Sequence, residues 1–313
     1  MINLETLKIH FLNTIWSDAI LLEKEDHFAF IDTGSSFYFP MVKKHLADFQ
    51  ITKLDFIVLT HFHSDHYGNI SNILNNYTVD KLYLKHYYGL DGTTASGYSS
   101  NDEYIVHEFS MYNEIIESCE NNNTEVIYID EFIENKIDIN FNNMPLELYD
   151  CENTLYNLFT NKESPVYNKK MFNENYNSIG IFIKYNNFNI FLGGDLSCSN
   201  SAIPQIDKRS INIINQIYKN HNINQIDVYK SCHHGGSGTN TKELCDLLKA
   251  KYIIITNTDK WLNNYNTIQN LKSANNNAII LKTDYQKYIF TISDKITYHV
   301  LKDDSLFITL NKK

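Results

Sequence analysis

Four runs of strand length in this chain stop on the same kind of chemistry. "FAFIDTGSS" reaches Asp32, and "DFIVLTHFHSDH" reaches His61, His63, Asp65 and His66. "IFLGGDLS" reaches Asp195, and "VYKSCHHGGSGTN" reaches His233 and His234. Short apolar runs bounded by turn residues read as buried strands. Imidazole and carboxylate groups left at their ends are useful together only in a fold that gathers those ends at one edge, where loops leave the strands.

The rest of the pattern agrees with such a fold. Lys8–Leu12, Ala19–Glu23 and Phe28–Asp32 read as strands, and Pro40 opens a helix through Asp48. Leu54–Leu59 is a buried strand, followed by a helix over Asn69–Asn76. Tyr87–Asp102 reads as a loop and Glu103–Glu120 as a helix. After a polar middle, Ile179–Tyr185 and Asn189–Leu192 form strands joined by an Asn-Asn turn. Helices over Ile211–Asn220 and Thr241–Ala250, the second capped by Thr239 or Asn240, alternate with strands at Asp227–Lys230, Tyr252–Thr256, Ala278–Leu281 and Tyr288–Ile292. Two strand-rich blocks, each mixed with helices, imply the α/β class and a four-layer αββα sandwich, built as one domain over residues 1–313.

Within "THFHSDH", neutral imidazole and carboxylate suit zinc, and also manganese or iron. His61 and His63, one residue apart, aim at one ion, while Asp65 and His66 aim at a second beside it. A hydrogen-bonded polar turn is the bland alternative. Two ions need a bridging carboxylate and a further imidazole. Asp195 fits the bridge, because the glycines before it let the backbone pass close to the ions. Adjacent histidines point in different directions, so only one of the two is a strong ligand, and His233 is favoured. His234 then faces substrate as a phosphate-binding or proton-transfer group. Asp32 accepts the free N–H of a ligand histidine, although an aspartate before Thr-Gly is equally an ordinary turn residue.

A formal charge of −10 disfavours clamping of long nucleic acid. No apolar run has the length of a membrane span, and the N-terminal stretch reads as no signal peptide. Five scattered cysteines without a Cys-x-x-Cys pair exclude a zinc ribbon and fit reduced thiols in the cytoplasm.

"FIDTG", "THFHSDH", "LGGD" and "SCHHGG", in this order, resemble the successive motifs of the metallo-β-lactamase superfamily. Within it the chain is similar to the branch holding the hydrolase domain of the DNA-uptake competence protein. It is more similar still to the phosphorylcholine esterase module of choline-binding surface proteins. The likeness runs through "IHFLNTIWSDAILLEKEDHFAFIDTG", "NSIGIFIKYNNFNIFLGGDL" and "NTDKW". It implies His61 and His63 on the first metal, Asp65, His66 and His233 on the second, and Asp195 between them. The histidine of the superfamily's usual Gly-His turn is missing. His86 and His107 lie in that interval without the glycine pattern, and "NENYNSIG" places Asn175 and Asn177 before the strand instead. The resemblance therefore leaves the first metal to be completed by water, substrate or an amide oxygen.

The implied activity is hydrolysis of a small phosphodiester, either a phosphorylcholine-like head group or a nucleotide, by hydroxide generated between two Zn2+ ions, with Mn2+ or Fe2+ as substitutes. Asp65 or Asp195 would hold the water, and His234 would steady the developing charge. Trp261 and the tyrosines of the 87–98 loop are candidate walls for a cationic head group. The competing readings are a nuclease acting on short or single-stranded DNA or RNA, and a metal-stabilised binding module without activity.

Overall fold

Side-chain alternation decides which way each strand faces. In β1 (Leu7–Phe11), Leu7, Ile9 and Phe11 enter one core, and in β2 (Ala19–Lys24) Ile20 and Leu22 join them while Leu21 turns to the opposite face. The computed structural model describes residues 6–90, 97–132, 134–152, 154–164, 167, 173–197, 208–262, 265–284 and 286–302, with only the backbone of 154, 155, 261, 286, 301 and 302. Among these residues there are two sheets. The first runs in the order β15 (Ile296–Lys302), β14 (Gln286–Ile292), β1, β2, β3 (His27–Thr33), β4 (Lys53–Val58), β5 (Thr78–Leu84), β6 (Glu125–Tyr128). The second runs β13 (Ile279–Lys282), β12 (Tyr252–Ile255), β11 (Val228–Lys230), β10 (Phe188–Leu192), β9 (Gly180–Tyr185), β8 (Met144–Tyr149), β7 (Lys136–Phe141).

The sheets pack face to face over a core that mixes Phe11 and Val58 of the first with Leu146, Ile183 and Ile254 of the second. Each of these side chains is fully buried, worth about 1.5–3 kcal/mol apiece relative to exposure. The outer face of the first sheet is covered by α1 (Phe39–Asp48), α3 (Ile70–Leu74) and α4 (Asn101–Asn121), through Leu46, Ile73 and Ile115. The outer face of the second is covered by α6 (Arg209–His221), α7 (Lys242–Leu248) and, after the single turn α8 (Asp259–Leu262), α9 (Thr267–Ala274), through Ile214, Leu244 and Leu271. This is the four-layer αββα sandwich of the metallo-β-lactamase fold.

Strand direction matters for function. β3, β4, β5 and β6 are parallel, as are β10, β11, β12 and β13. Crossover helices return each parallel strand to the same starting edge, so all their C-terminal ends share the other edge. Antiparallel β2 brings its start to that edge as well, since Ala19 pairs with Thr33 at the end of β3.

Several boundaries differ from the sequence pattern for local reasons. Thr241, rather than Thr239 or Asn240, caps α7 by accepting from Leu244 N, because the side chains of Thr239 and Asn240 both bond the carbonyl of Cys232. The helix stops at Leu248, where Lys249 turns left-handed (φ 45°). Between Asn121 and Gly180, where patterning shows only a polar stretch, lie β6, the β7–β8 hairpin and α5 (Thr154–Thr160). The hairpin turns on Asn142 and Asn143, both at positive φ as a tight two-residue turn requires. Cys119, Cys151, Cys232 and Cys245 are buried thiols. No helix among the described residues is long and apolar enough to cross a membrane.

Candidate metal centre

The end of β4 supplies the densest set. After Val58 the chain leaves the sheet through Thr60 and His61, and His63 precedes the short helix α2 (Ser64–Tyr67) carrying Asp65 and His66. Gly68 lets this turn lie flat on the loop after β3, since a Cβ there would sit 2.4 Å from Ser64 O and 2.5 Å from Ser36 N. Asp195 follows β10 on Gly194, whose positive φ (47°) and contact with Ser178 leave no room for a side chain. Its own backbone N–H donates to Ser178 Oγ at 2.9 Å.

Asp195 stands at the centre of the cluster, 2% exposed. Its Oδ1 lies 3.4 Å from His66 Nε2. Its Oδ2 lies 3.8 Å from His61 Nε2, 3.7 Å from His233 Nε2 and 3.6 Å from His234 Nε2. His61 Nε2 and His63 Nδ1 are 3.1 Å apart. Asp65 Oδ2 lies 3.2 Å from His234 Nε2 and 3.9 Å from His66 Nε2. Four ligands at zinc bond lengths in a tetrahedron are separated by about 3.3 Å, which these spacings approach.

The neighbouring histidines diverge because the backbone is left-handed at both, with φ 49° at His233 and 51° at His234. Such angles are uncommon outside glycine and store strain, a habit of functional sites. Their ring centroids end 6.0 Å apart. His234 turns inward beside Asp65 and is buried. The side chain of His233 keeps 39% of its exposure, and its Nε2 meets the Asn175 amide at 3.1 Å.

The imidazoles are oriented from behind. His66 Nδ1 bonds Asp32 Oδ2 at 2.7 Å, and Thr60 donates to both Asp32 oxygens at 2.8 Å. His234 Nδ1 lies 3.2 Å from Asp18 Oδ1 and 2.8 Å from Thr256 Oγ1, which donates to Asp18 at 2.6 Å. The fully buried Lys230 ion-pairs with Asp18 and donates to Gly194 O at 3.2 Å. A carboxylate behind each of these two rings holds the proton of Nδ1 and turns Nε2 toward the cluster.

Burial works against charge on His66, but Asp195, Asp32 and Asp65 outweigh it and raise its pKa well above the ordinary histidine value. His234 is likewise opposed by burial and raised to about 9 by Asp195 and Asp18. Burial would raise Asp195, yet His234, His66 and His233 hold it well below the carboxylate range. Burial, with His66 nearby, lowers His61 well below the ordinary value.

These groups fit metal ions. His66 Nε2, His234 Nε2 and Asp195 Oδ1 are buried without a well-aligned hydrogen-bond partner, and such atoms are costly unless something else occupies them. Asp18, His66, Asp195 and His234 offer ligand atoms all within 4.8 Å of one another. Asp18 is already matched by Lys230, so its part is to hold His234.

Other residues fall elsewhere. Asn177 donates to Glu174 and accepts from Lys85, while Asn175 is the asparagine that reaches the cluster. His86 bonds Asp130 at 3.0 Å, and His107 faces the Tyr98 ring. The side chain of Trp261 lies outside the described residues. A cavity of about 380 Å³ opens on Asp65, His233 and His234, and its aromatic walls are Trp16 and Tyr265. Of the loop tyrosines, Tyr87 is buried against Phe62 and Tyr88 bonds Asp130. Asp18 and Lys230 escape sequence reading. The available signal is an acid opening the strand that neighbours the one ending on Asp32.

Residues 17–128 match the family model described as the Metallo-beta-lactamase superfamily. Among solved structures, the chain is similar to the metallo-beta-lactamase fold protein YhfI from Bacillus subtilis. The identity is 12%, covering 89% of this chain and 96% of that one, with a TM-score of 0.47. A metal-dependent hydrolase of the beta-lactamase superfamily matches at 13% identity over 88% and 95%, TM-score 0.49. A diphosphatase from the PhnP family matches at 12% over 79% and 85%, TM-score 0.41. A sequence search of the curated proteins finds no match. Residues 17–128, the stretch that carries Asp18, Asp32 and the His61–His66 cluster, are thus similar to the Metallo-beta-lactamase superfamily, and the described residues form a two-sheet α/β fold consistent with it.

Proposed function

We propose that this protein is a binuclear metal-dependent hydrolase acting on phosphodiesters. The observation that carries the reading is the convergence of His61, His66, His233 and His234 on the two oxygens of Asp195, with His63 against His61 and Asp65 against His234. His61, His63 and His233 would hold the first ion and Asp65, His66 and His234 the second, with Asp195 shared. This exchanges the roles expected for the adjacent histidines. His234, buried beside Asp65, becomes the second-site ligand, and His233 takes the place of the histidine missing from the Gly-His turn. Zinc is the ion this imidazole-rich set favours, with manganese or iron as substitutes.

When bound, two such ions supply Lewis-acid charge for phosphoryl oxygens and acidify a water held between them. Asp32 and Asp18 keep the proton of His66 and His234 on Nδ1, so each Nε2 stays a lone-pair donor. Asp65, partly exposed at the cavity, accepts a hydrogen bond from an attacking water and fixes its direction. Asn257 lines the cavity, and the Asn175 amide meets His233 at its edge. Asp18 is neutralised by Lys230, so the loaded centre is net positive inside a chain of charge −10 and favours a small anion. The same overall charge disfavours long duplexes, and short oligonucleotides are the nucleic acids compatible with it.

The test is turnover of bis(p-nitrophenyl) phosphate, p-nitrophenyl phosphorylcholine, cyclic nucleotides and short oligonucleotides by metal-loaded protein. Wild type hydrolyses at least one diester, and Asp195→Ala lowers kcat on the order of a hundredfold or more. If wild type and Asp195→Ala are equally inert across the panel, the reading fails.

A further inference from the structure

The metal cavity does not end at the histidines. A second cavity of about 260 Å³ shares Gly236, Ser237 and Tyr265 with it, so the two lobes adjoin across the glycine-rich loop after His234. The second lobe is lined further by Gly238, Asn240, Thr241, Asn266, Thr267 and Asn270, and among the described residues no acid or base side chain lines it. Its floor is rigid. Asn240 receives hydrogen bonds from Tyr229 and Ser231, Asn270 donates to Asn240 O, and Thr267 donates to Gly235 O. Its rim carries the Ser237 hydroxyl and the Asn266 amide, both exposed. Asn266 precedes α9 but forms no capping hydrogen bond, which leaves its amide available.

A neutral lobe with hydroxyl and amide groups and one aromatic ring matches an uncharged, hydrogen-bonding group with a flat face. It does not match a quaternary ammonium, which calls for an aromatic cage or an opposing carboxylate. We propose that this lobe binds the nucleoside portion of a nucleotide whose phosphate lies at the metal centre, with Tyr265 stacking at the junction and Asn266 bonding the sugar or base. The inference rests on the phosphodiesterase reading for its catalytic meaning and deepens it by selecting nucleotides over choline-type head groups.

Calorimetric binding to the metal-loaded protein separates the two ideas. Uridine 5′-monophosphate binds at least about tenfold tighter than inorganic phosphate and tighter than phosphorylcholine, because the lobe adds contacts that phosphate alone lacks. Asn266→Ala weakens uridine 5′-monophosphate about fivefold more than it weakens phosphate, with an unchanged melting temperature since no cap is lost. Nucleotide binding no tighter than phosphate, tighter binding of phosphorylcholine, or an Asn266→Ala protein indistinguishable from wild type overturns the inference. If the nucleotide preference holds while no diester is hydrolysed, the lobe stands and the phosphodiesterase reading falls.

Discussion

Asp18 and His234, far apart in sequence, meet behind the metal cluster, with Asp18 Oδ1 3.2 Å from His234 Nδ1. Asp18 is fully buried and its charge is matched by Lys230. Burial opposes ionisation of Asp18, but Lys230 and His234 hold its pKa far below the usual carboxylate value. The pair serves His234 as Asp32 serves His66.

Replacing Asp18 therefore acts on both metal binding and stability. Asp18→Asn leaves Lys230 buried without its counter-charge, a loss of about 3 kcal/mol. It also weakens the second metal site roughly 10–100-fold through the loosened His234 ring. Urea unfolding reads the first effect and chelator competition the second. Unchanged metal affinity would show that Asp18 serves folding alone.

Gly68→Ala tests the packing that holds α2. The new methyl would meet the backbone at Ser64 O, Ser36 N and Gly34 O, all within 2.9 Å, and none of these is a flexible side-chain end. The loops must separate, for a loss of about 3 kcal/mol, and Asp65 and His66 shift with them. Thermal melts with and without zinc should show a lower Tm in both and a smaller zinc-induced rise than in wild type.

A pH effect is expected away from the metals. His10 and His45 are fully buried between the first sheet and α1, 2.9 Å apart. Burial is the main cause that lowers both pKa values, that of His45 well below the ordinary value. As pH falls below about 6.5, unfolded chains bind protons that the native protein does not. Stability then drops by up to about 1.4 kcal/mol per pH unit for each such group. Metal-free wild type should lose stability between pH 7 and pH 5. His45→Gln, which keeps a polar partner for His10 without titrating, should show a shallower loss in urea melts at the two values.

The cluster of imidazole and carboxylate groups was legible because histidine and aspartate gather locally in "THFHSDH", at the exit of a strand whose apolar run is unmistakable. The strand-helix alternation after Phe188 was equally legible, since parallel strands buried on both faces read as continuous apolar runs. The β7–β8 hairpin was not, although Ile137, Ile139 and Phe141 alternate strictly with Lys136, Asp138 and Asn140, because the strand holds no continuous apolar run. Asp18 was hidden because its role depends on antiparallel pairing that carries the start of β2 to the end of β3. Lys230 reads as a polar strand end until its ion pair with Asp18 is seen. Which way His233 and His234 point depends on two positive φ angles that no side-chain pattern announces.

That divergence is the most direct test of the two-ion arrangement. After loading with zinc and desalting, elemental analysis of wild type should give two ions per chain. His233→Ala and His234→Ala should each retain about one, the first losing the ion of His61 and His63 and the second that of Asp65 and His66. Two tightly held ions in His233→Ala, or fewer than two in wild type, would contradict the division of the adjacent histidines between two metals.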